Sequence, residues 1–139
     1  MKSLKHLSCL FFLIFCTTHV FAQGLAGRWE YTHSLLKFGE NAKEIPVLGI
    51  SIDSEQERPE YIHFYNDKSL ETKVIVRHKA KVKFGTYLTI GDGKYVEMTY
   101  KDDADVTTIE RQQILELNDQ TLKLKFKGMI FVYQKVSLK

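Results

Sequence analysis

The sequence predicts an all-β protein, a single up-and-down antiparallel β-barrel of about eight strands. Apolar and polar residues alternate with a period of two along most of the chain, which is typical of half-buried strands. Short turns such as Gly91-Asp92-Gly93 and Asn118-Asp119 separate these segments. A meander of this length leaves no free edge once it closes into a barrel. Long amphipathic helical patterns between the strands are missing, which argues against a parallel α/β sheet.

The predicted strands follow one another at short intervals. They comprise residues 27–35, 60–66, 69–78, 84–90, 95–100, 107–117, 121–127 and 129–136. In the first strand, Trp29, Tyr31 and His33 share one face. In the third strand, Val76 and His78 share one face. Each of these faces is expected to point into the barrel, because the residues on it are the larger or more apolar ones.

The later strands are assigned in the same way. Met98 and Tyr100 lie on one face of the fifth strand. The β-branched run at 106–109 favours a strand over a helix at the start of the sixth. In the last strand, the face that carries Phe131 and Tyr133 is predicted to point inward, because large aromatic side chains fill a barrel best.

Residues 36–59 form a long connection with more apolar residues than a solvated loop needs. The apolar part is 45–52, and Pro46 and Gly49 interrupt any regular ladder within it. This part either packs over the mouth of the barrel as a lid or adds an edge strand. Both alternatives stay open at this point.

Residues 1–22 have the pattern of a secretory signal peptide, with two early lysines, an apolar run over 7–15 and a small residue at Ala22. The apolar run is too short to span a bilayer. Cleavage after Ala22 leaves residues 23–139 as one barrel domain, exported to the periplasm or the extracellular space. Lipid attachment at Cys16 is the minor alternative, because a bulky phenylalanine precedes that cysteine.

The predicted mature domain keeps 117 of the 139 residues, and its charge is nearly balanced. Once the two signal lysines are removed, 18 Lys and Arg face 17 Asp and Glu. This balance predicts no nucleic-acid partner, and the domain has no predicted membrane span. Both cysteines, Cys9 and Cys16, leave with the signal peptide. The exported domain therefore has no disulfide, no thiol nucleophile and no thiolate metal ligand.

The Gly27-x-Trp29 motif at the start of the first strand resembles the lipocalin, or calycin, signature. Residues 114–124 and 131–136 resemble the closing strands of small exported lipocalin-like proteins of Bacteroidetes-type bacteria. Residues 85–97 resemble the middle hairpin of an uncharacterised lipocalin-like subset of that group. The usual C-terminal helix of lipocalins is missing, which points to the lipocalin-like offshoots.

The resemblance implies a role for the tryptophan and a function for the barrel. In lipocalins this residue packs at the closed floor of the barrel, often against a basic residue, and here Arg111 or Lys135 is the candidate partner of Trp29. The family's usual activity implies that a small molecule binds inside the barrel. A barrel interior with apolar walls and a few polar groups suits such a ligand.

The candidate ligand-binding residues are those that alternation places inward. They are Tyr31, His33, Val76, His78, Met98, Tyr100, Arg111 and Tyr133. Arg111 faces inward together with Leu115 and Leu117 if no bulge intervenes. An inward arginine would favour a carboxylate or another anion through charge-assisted hydrogen bonds. His33, near the expected mouth, would contact a polar head group.

No catalytic motif, cofactor-binding motif or activated nucleophile is visible, so the protein is predicted not to be an enzyme. His33, His63 and His78 come from different strands without the spacing of metal ligands, and no metal site is predicted. The leading function is an exported non-enzymatic binding protein for a small hydrophobic or amphipathic ligand. The alternative is a filled barrel that recognises a protein or glycan through its loops. A cavity of about 300–1,000 Å³ would distinguish the first from the second.

Overall fold

The computed structural model of this protein describes residues 24–47, 57–102 and 104–137. The predicted signal peptide lies outside these ranges, and so do residues 48–56, which include the second half of the predicted lid. No helix within the described ranges is long and apolar enough to cross a membrane.

The described chain is built from antiparallel strands joined mainly by short turns. They are β1 (Gly27–Leu36), β2 (Ile45–Pro46), β3 (Arg58–Phe64), β4 (Ser69–Val76), β5 (Lys79–Ile90), β6 (Tyr95–Lys101), β7 (Thr107–Leu117), β8 (Thr121–Phe126) and β9 (Met129–Val136). From β3 to β9 each strand pairs with the next, while β1 pairs with both β3 and β9. These eight strands close an up-and-down barrel, which confirms the predicted fold class.

The seam between β1 and β9 closes the barrel. Its register runs from Arg28 opposite Val136 to Leu36 opposite Met129. On its other side β1 pairs with β3 only over residues 27–30. Beyond that point β1 and β3 separate, so the barrel wall is continuous at one end and divided at the other.

The short strand β2 occupies part of the β1 edge that β3 leaves free. Ile45 and Pro46 lie opposite Leu36 and Leu35 in an antiparallel pair. The backbone N–H of Val47 extends this ladder by donating to a β1 carbonyl at 2.9 Å. The first residues of the predicted lid therefore form an edge strand, and the rest of that segment lies outside the described ranges.

Both faces of β9 are buried, for different reasons. Phe131 and Tyr133 belong to the main core inside the barrel, as predicted. Ile130 and Val132 point the other way and pack with Leu35 in a second, smaller cluster. The long connection that follows β1 therefore begins beside an apolar patch on the outer wall.

One end of the barrel is closed by Trp29. The indole is completely buried, and its Nε1–H donates to the carbonyl of Leu25 at 2.8 Å. The Lys135 ammonium lies 5.0 Å from the centroid of the ring, so Lys135 is the basic partner and Arg111 is not. Gly27 has a φ of 127°, and a Cβ there would lie 2.7 Å from Cε of Lys135. Glycine at this position therefore lets the lysine stem pass over the tryptophan.

Gly85 lies where β5 changes its neighbours. Residues 79–86 pair with β4, and residues 85–90 pair with β6, so the two pairings overlap at residues 85 and 86. A Cβ at Gly85 would lie only 2.1 Å from the carbonyl oxygen of Thr99 on β6. The missing side chain lets the β6 backbone cross close to β5 and then turn away from the first half of that strand.

Replacing Gly85 by alanine should lower the free energy of unfolding by about 2 kcal/mol or more, because the added methyl group displaces the backbone of β6. Urea unfolding followed by circular dichroism measures this change. Gly24→Ala is the control, because a Cβ at Gly24 meets no atom closer than 3.9 Å. Equal unfolding midpoints for the two variants would show that the close crossing at Gly85 is not needed.

Candidate functional site

The end of the barrel opposite Trp29 holds a cavity of about 580 Å³. Much of its wall is apolar and is formed by Pro59, Val74, Phe126, Met129, Phe131 and Tyr133. Glu57, Thr108 and Glu110 border this cavity and also line a side chamber of about 570 Å³, between the first half of β5 and the β6–β7 hairpin. Volumes of this size are typical of sites for small molecules.

A narrow recess of about 50 Å³ continues from the cavity toward the middle of the barrel. Its wall includes Thr72, Met98, Tyr100, Gln112 and Tyr133. All five side chains are buried. The recess is therefore much more polar than the apolar core around Trp29.

Tyrosine hydroxyls provide part of this polarity. Tyr133 and Tyr100 line the recess, and Tyr31 lies behind Tyr133, with the two rings edge to face at 6.1 Å. The hydroxyls of Tyr31 and Ser34 hydrogen-bond to each other at 2.9 Å. Burial raises the pKa of the Tyr133 hydroxyl far above its ordinary value, and repulsion from neighbouring ionisable groups adds to that rise. Burial likewise raises the pKa of Tyr100, and the nearby carboxylate of Glu110 raises it further. Both hydroxyls therefore stay protonated at neutral pH and can donate hydrogen bonds.

Glu110 and Gln112 point into the barrel from the same face of β7. Nε2 of Gln112 donates to Oε2 of Glu110 at 3.4 Å. Gln112 is only 7% exposed, and its carbonyl oxygen Oε1 has no hydrogen-bond partner among the described residues. A carboxylate accepts hydrogen bonds and cannot donate them, so the NH₂ end of the amide must face Glu110. The carbonyl end must then face away from Glu110.

The charged groups that line the recess are Glu57, Lys83 and Glu110, and together they carry a net negative charge. Glu57 forms an ion pair with Lys83, whose ammonium lies 5.6 Å from the centroid of the Tyr100 ring. Glu110 forms no ion pair with any lysine or arginine in the described part of the chain. One carboxylate at the recess is therefore left without a cationic partner.

Comparison with protein-family profiles finds no match for this chain, and comparison with curated proteins finds none either. Among solved structures, a lipocalin-like protein from Bacteroides uniformis superposes with a TM-score of 0.55 at 13% identity, covering 81% of this chain and 98% of that one. An uncharacterized protein from Bacteroides eggerthii superposes with a TM-score of 0.53 at 12% identity, covering 81% of this chain and 100% of that one. The fold is lipocalin-like. The resemblance carried by the Gly27-x-Trp29 motif is confirmed at the level of the fold.

The lipocalin-like barrel brings four of the predicted site residues together. Tyr31, Met98, Tyr100 and Tyr133 all lie in or against the main core, and the last three line the recess. Val76 is half-buried at the end of β4. Contact of these residues with a ligand stays a prediction.

The two predicted histidines do not belong to this interior. The β1–β9 register shifts between Tyr31 and His33, so Thr32 is an extra residue that reverses the alternation. Ser34 is therefore buried and His33 is exposed. His78 lies in the β4–β5 turn with a φ of 64°, also exposed. Across the described ranges, no three His, Cys, Asp or Glu side chains lie close enough to hold a metal ion.

Arg111 also points outward, contrary to the expectation. Its guanidinium donates to Glu97 at 2.8 Å on the outer wall. The β7–β8 register shifts between Ile114 and Glu116, and Leu115 at this shift is 41% exposed. Leu115 therefore does not set the inward face of β7, and the predicted anion preference based on Arg111 loses its physical basis.

Sequence reasoning missed Glu110 and Gln112 as site residues. Both lie on the same face of β7 as Ile114, which packs against the core. The sequence contains the pattern Glu110-x-Gln112-x-Ile114. However, the apolar Leu115 favours the opposite face of the strand as the inward one, so the two polar residues are assigned to the outside.

Replacing Gln112 by leucine should raise the free energy of unfolding by roughly 1 kcal/mol, because a buried carbonyl without a donor costs about 1–3 kcal/mol and leucine has a similar volume. Urea unfolding of the two proteins tests this. Gln113→Leu, on the opposite face of β7, is the matched control and should change stability by less than about 0.5 kcal/mol. A clear loss of stability in the Gln112 variant would mean that its hydrogen bond to Glu110 outweighs the cost of the carbonyl.

Proposed function

We propose that this protein is an exported, non-enzymatic binding protein that holds a small amphipathic ligand in the open end of its barrel. The observation that carries the proposal is the cavity of about 580 Å³ opposite Trp29. A barrel filled with side chains would leave no space of this size. The volume therefore favours ligand binding over a filled barrel that acts only through its loops.

The lining of the site supports an amphipathic ligand rather than a purely apolar one. Val74, Met129 and Phe131 offer an apolar wall near the mouth. Gln112 and Tyr133 offer hydrogen-bonding groups at the base. A ligand that enters with its polar end first would place its polar group in the recess and its apolar part against the wall.

The same groups support binding rather than catalysis. The raised pKa values of Tyr100 and Tyr133 keep these hydroxyls protonated, so at neutral pH they serve as hydrogen-bond donors and not as bases or nucleophiles. The recess then acts by complementarity to a bound group.

Native mass spectrometry of the protein purified from its source organism tests the proposed function. We expect a retained small molecule in the wild-type protein and its loss in Thr108→Trp, because an indole at Thr108 would fill the space shared by the cavity and the side chamber. Thr86→Trp adds the same group at an exposed position outside the described cavities and should keep the molecule. Wild-type protein without any adduct, or equal adducts in all three proteins, would contradict the proposed site.

Export is proposed from residues 1–22 alone. Sequencing of the N-terminus of the protein recovered from outside the cytoplasm should begin at Gln23. A product that begins at a lipidated Cys16 would contradict cleavage after Ala22, and a product that begins at Met1 would contradict the signal peptide.

A further inference from the structure

The recess presents two hydrogen-bond acceptors from one strand. Glu110 and Gln112 are two residues apart on the inward face of β7, so their side chains emerge roughly 7 Å apart along the strand. The carboxylate of Glu110 lacks a cationic partner, and Oε1 of Gln112 lacks a donor, within the described ranges. Within those ranges Glu110 therefore lacks a neighbouring positive charge, and Gln112 lacks a hydrogen-bond donor for its carbonyl oxygen.

The amide of Gln112 is held in the orientation that leaves its carbonyl oxygen without a hydrogen-bond donor. Its NH₂ end is engaged by Glu110 at 3.4 Å, so rotation that would turn the carbonyl toward Glu110 brings two acceptors together. The buried carbonyl oxygen is therefore kept as an acceptor at the recess. A side chain whose only role was to fill space would not need this oxygen.

The charges around the recess favour one sign of charge on a ligand. Glu57 is neutralised by Lys83, which leaves Glu110 as the uncompensated charge at the recess. Lys81, Lys101 and Lys127 line the outer parts of the cavities but are exposed, and water screens their charges. A ligand carboxylate placed beside Glu110 would meet a like charge and would face the carbonyl of Gln112 without a donor to offer it.

We infer that the ligand of this barrel carries a primary ammonium group, a conclusion that rests on the proposed function. An ammonium group has three N–H donors and no acceptor. One donor reaches Glu110, where the opposite charges attract, and a second reaches Oε1 of Gln112. The hydroxyl of Tyr100 or Tyr133 accepts the third, since a tyrosine oxygen both donates and accepts.

The rest of the ligand extends from the recess toward the mouth. Val74, Met129 and Phe131 line this path with apolar surface. The ligand class is therefore an amphipathic primary amine, with its charged end innermost. This orientation differs from one in which a charged head group remains at the rim among the lysines.

Titration of the purified protein with three probes of equal chain length tests the inference: octylamine, octanol and octanoate at pH 7. Heteronuclear NMR reports both the affinity and the residues that shift. We expect octylamine to bind at least about ten-fold more tightly than octanoate, with shifts at Gln112 and Tyr133. Octanol, which keeps the tail but lacks the charge, should bind between the two.

Glu110→Gln should weaken octylamine binding by about ten-fold or more and weaken octanol binding much less, because the variant loses the charge and keeps the shape. Octanol binding that persists in the variant also shows that the variant is folded. Glu97→Gln is the matched control. It removes the same charge on the outer wall, beside Arg111, and should leave all three affinities unchanged. Gln112→Leu should weaken octylamine binding as a second, independent test.

The outcomes separate the two proposals. Equal affinity for the three probes, tighter binding of octanoate, or a Glu110→Gln variant that binds octylamine normally would overturn the ammonium inference and leave the proposed binding function in place. Failure of all three probes to shift any residue of the cavity would count against the proposed function itself, and the inference would fall with it.

Discussion

β1 pairs with β9 from Arg28 to Leu36 but pairs with β3 only as far as Glu30, and the shape of the barrel follows from this difference. Beyond Glu30 the β1–β3 wall divides, and beyond Gly85 the β5–β6 wall divides as well. Both divisions lie at the same end of the barrel, because β1 runs toward that end while β5 runs away from it. The barrel is therefore tight around Trp29 and open opposite, and the cavity results from backbone pairing rather than from a lack of large side chains.

The interior changes character along the barrel axis in a way that matches this shape. Around Trp29 the contents are apolar and completely buried. Near the middle come tyrosine hydroxyls and the amide of Gln112, and at the mouth come ion-paired and exposed charges. A buried carbonyl without a donor lowers stability in the free protein. Its presence at the base of an accessible cavity is explained if a ligand supplies the donor.

The sequence allowed the fold to be predicted well and the site only in part. Period-two alternation located the barrel strands, and the tryptophan motif located the closed end. The placement of His33 and Arg111 failed because one extra residue in a strand reverses the alternation, and the bulges beside Thr32 and Leu115 leave no mark in the amino-acid pattern. Gln112 was missed because inward polar residues look like outward ones until the register is known.

Trp29 is the sole tryptophan of the chain and reports directly on the closed end of the barrel. Acrylamide quenching of its fluorescence, with and without bound octylamine, tests the central claim that this end is sealed and the ligand enters opposite. The account predicts quenching far weaker than that of free tryptophan in both states, because the indole is completely buried under Leu25 and Lys135. Quenching close to that of free tryptophan, or quenching that octylamine reduces, would place the opening at Trp29 and contradict the account.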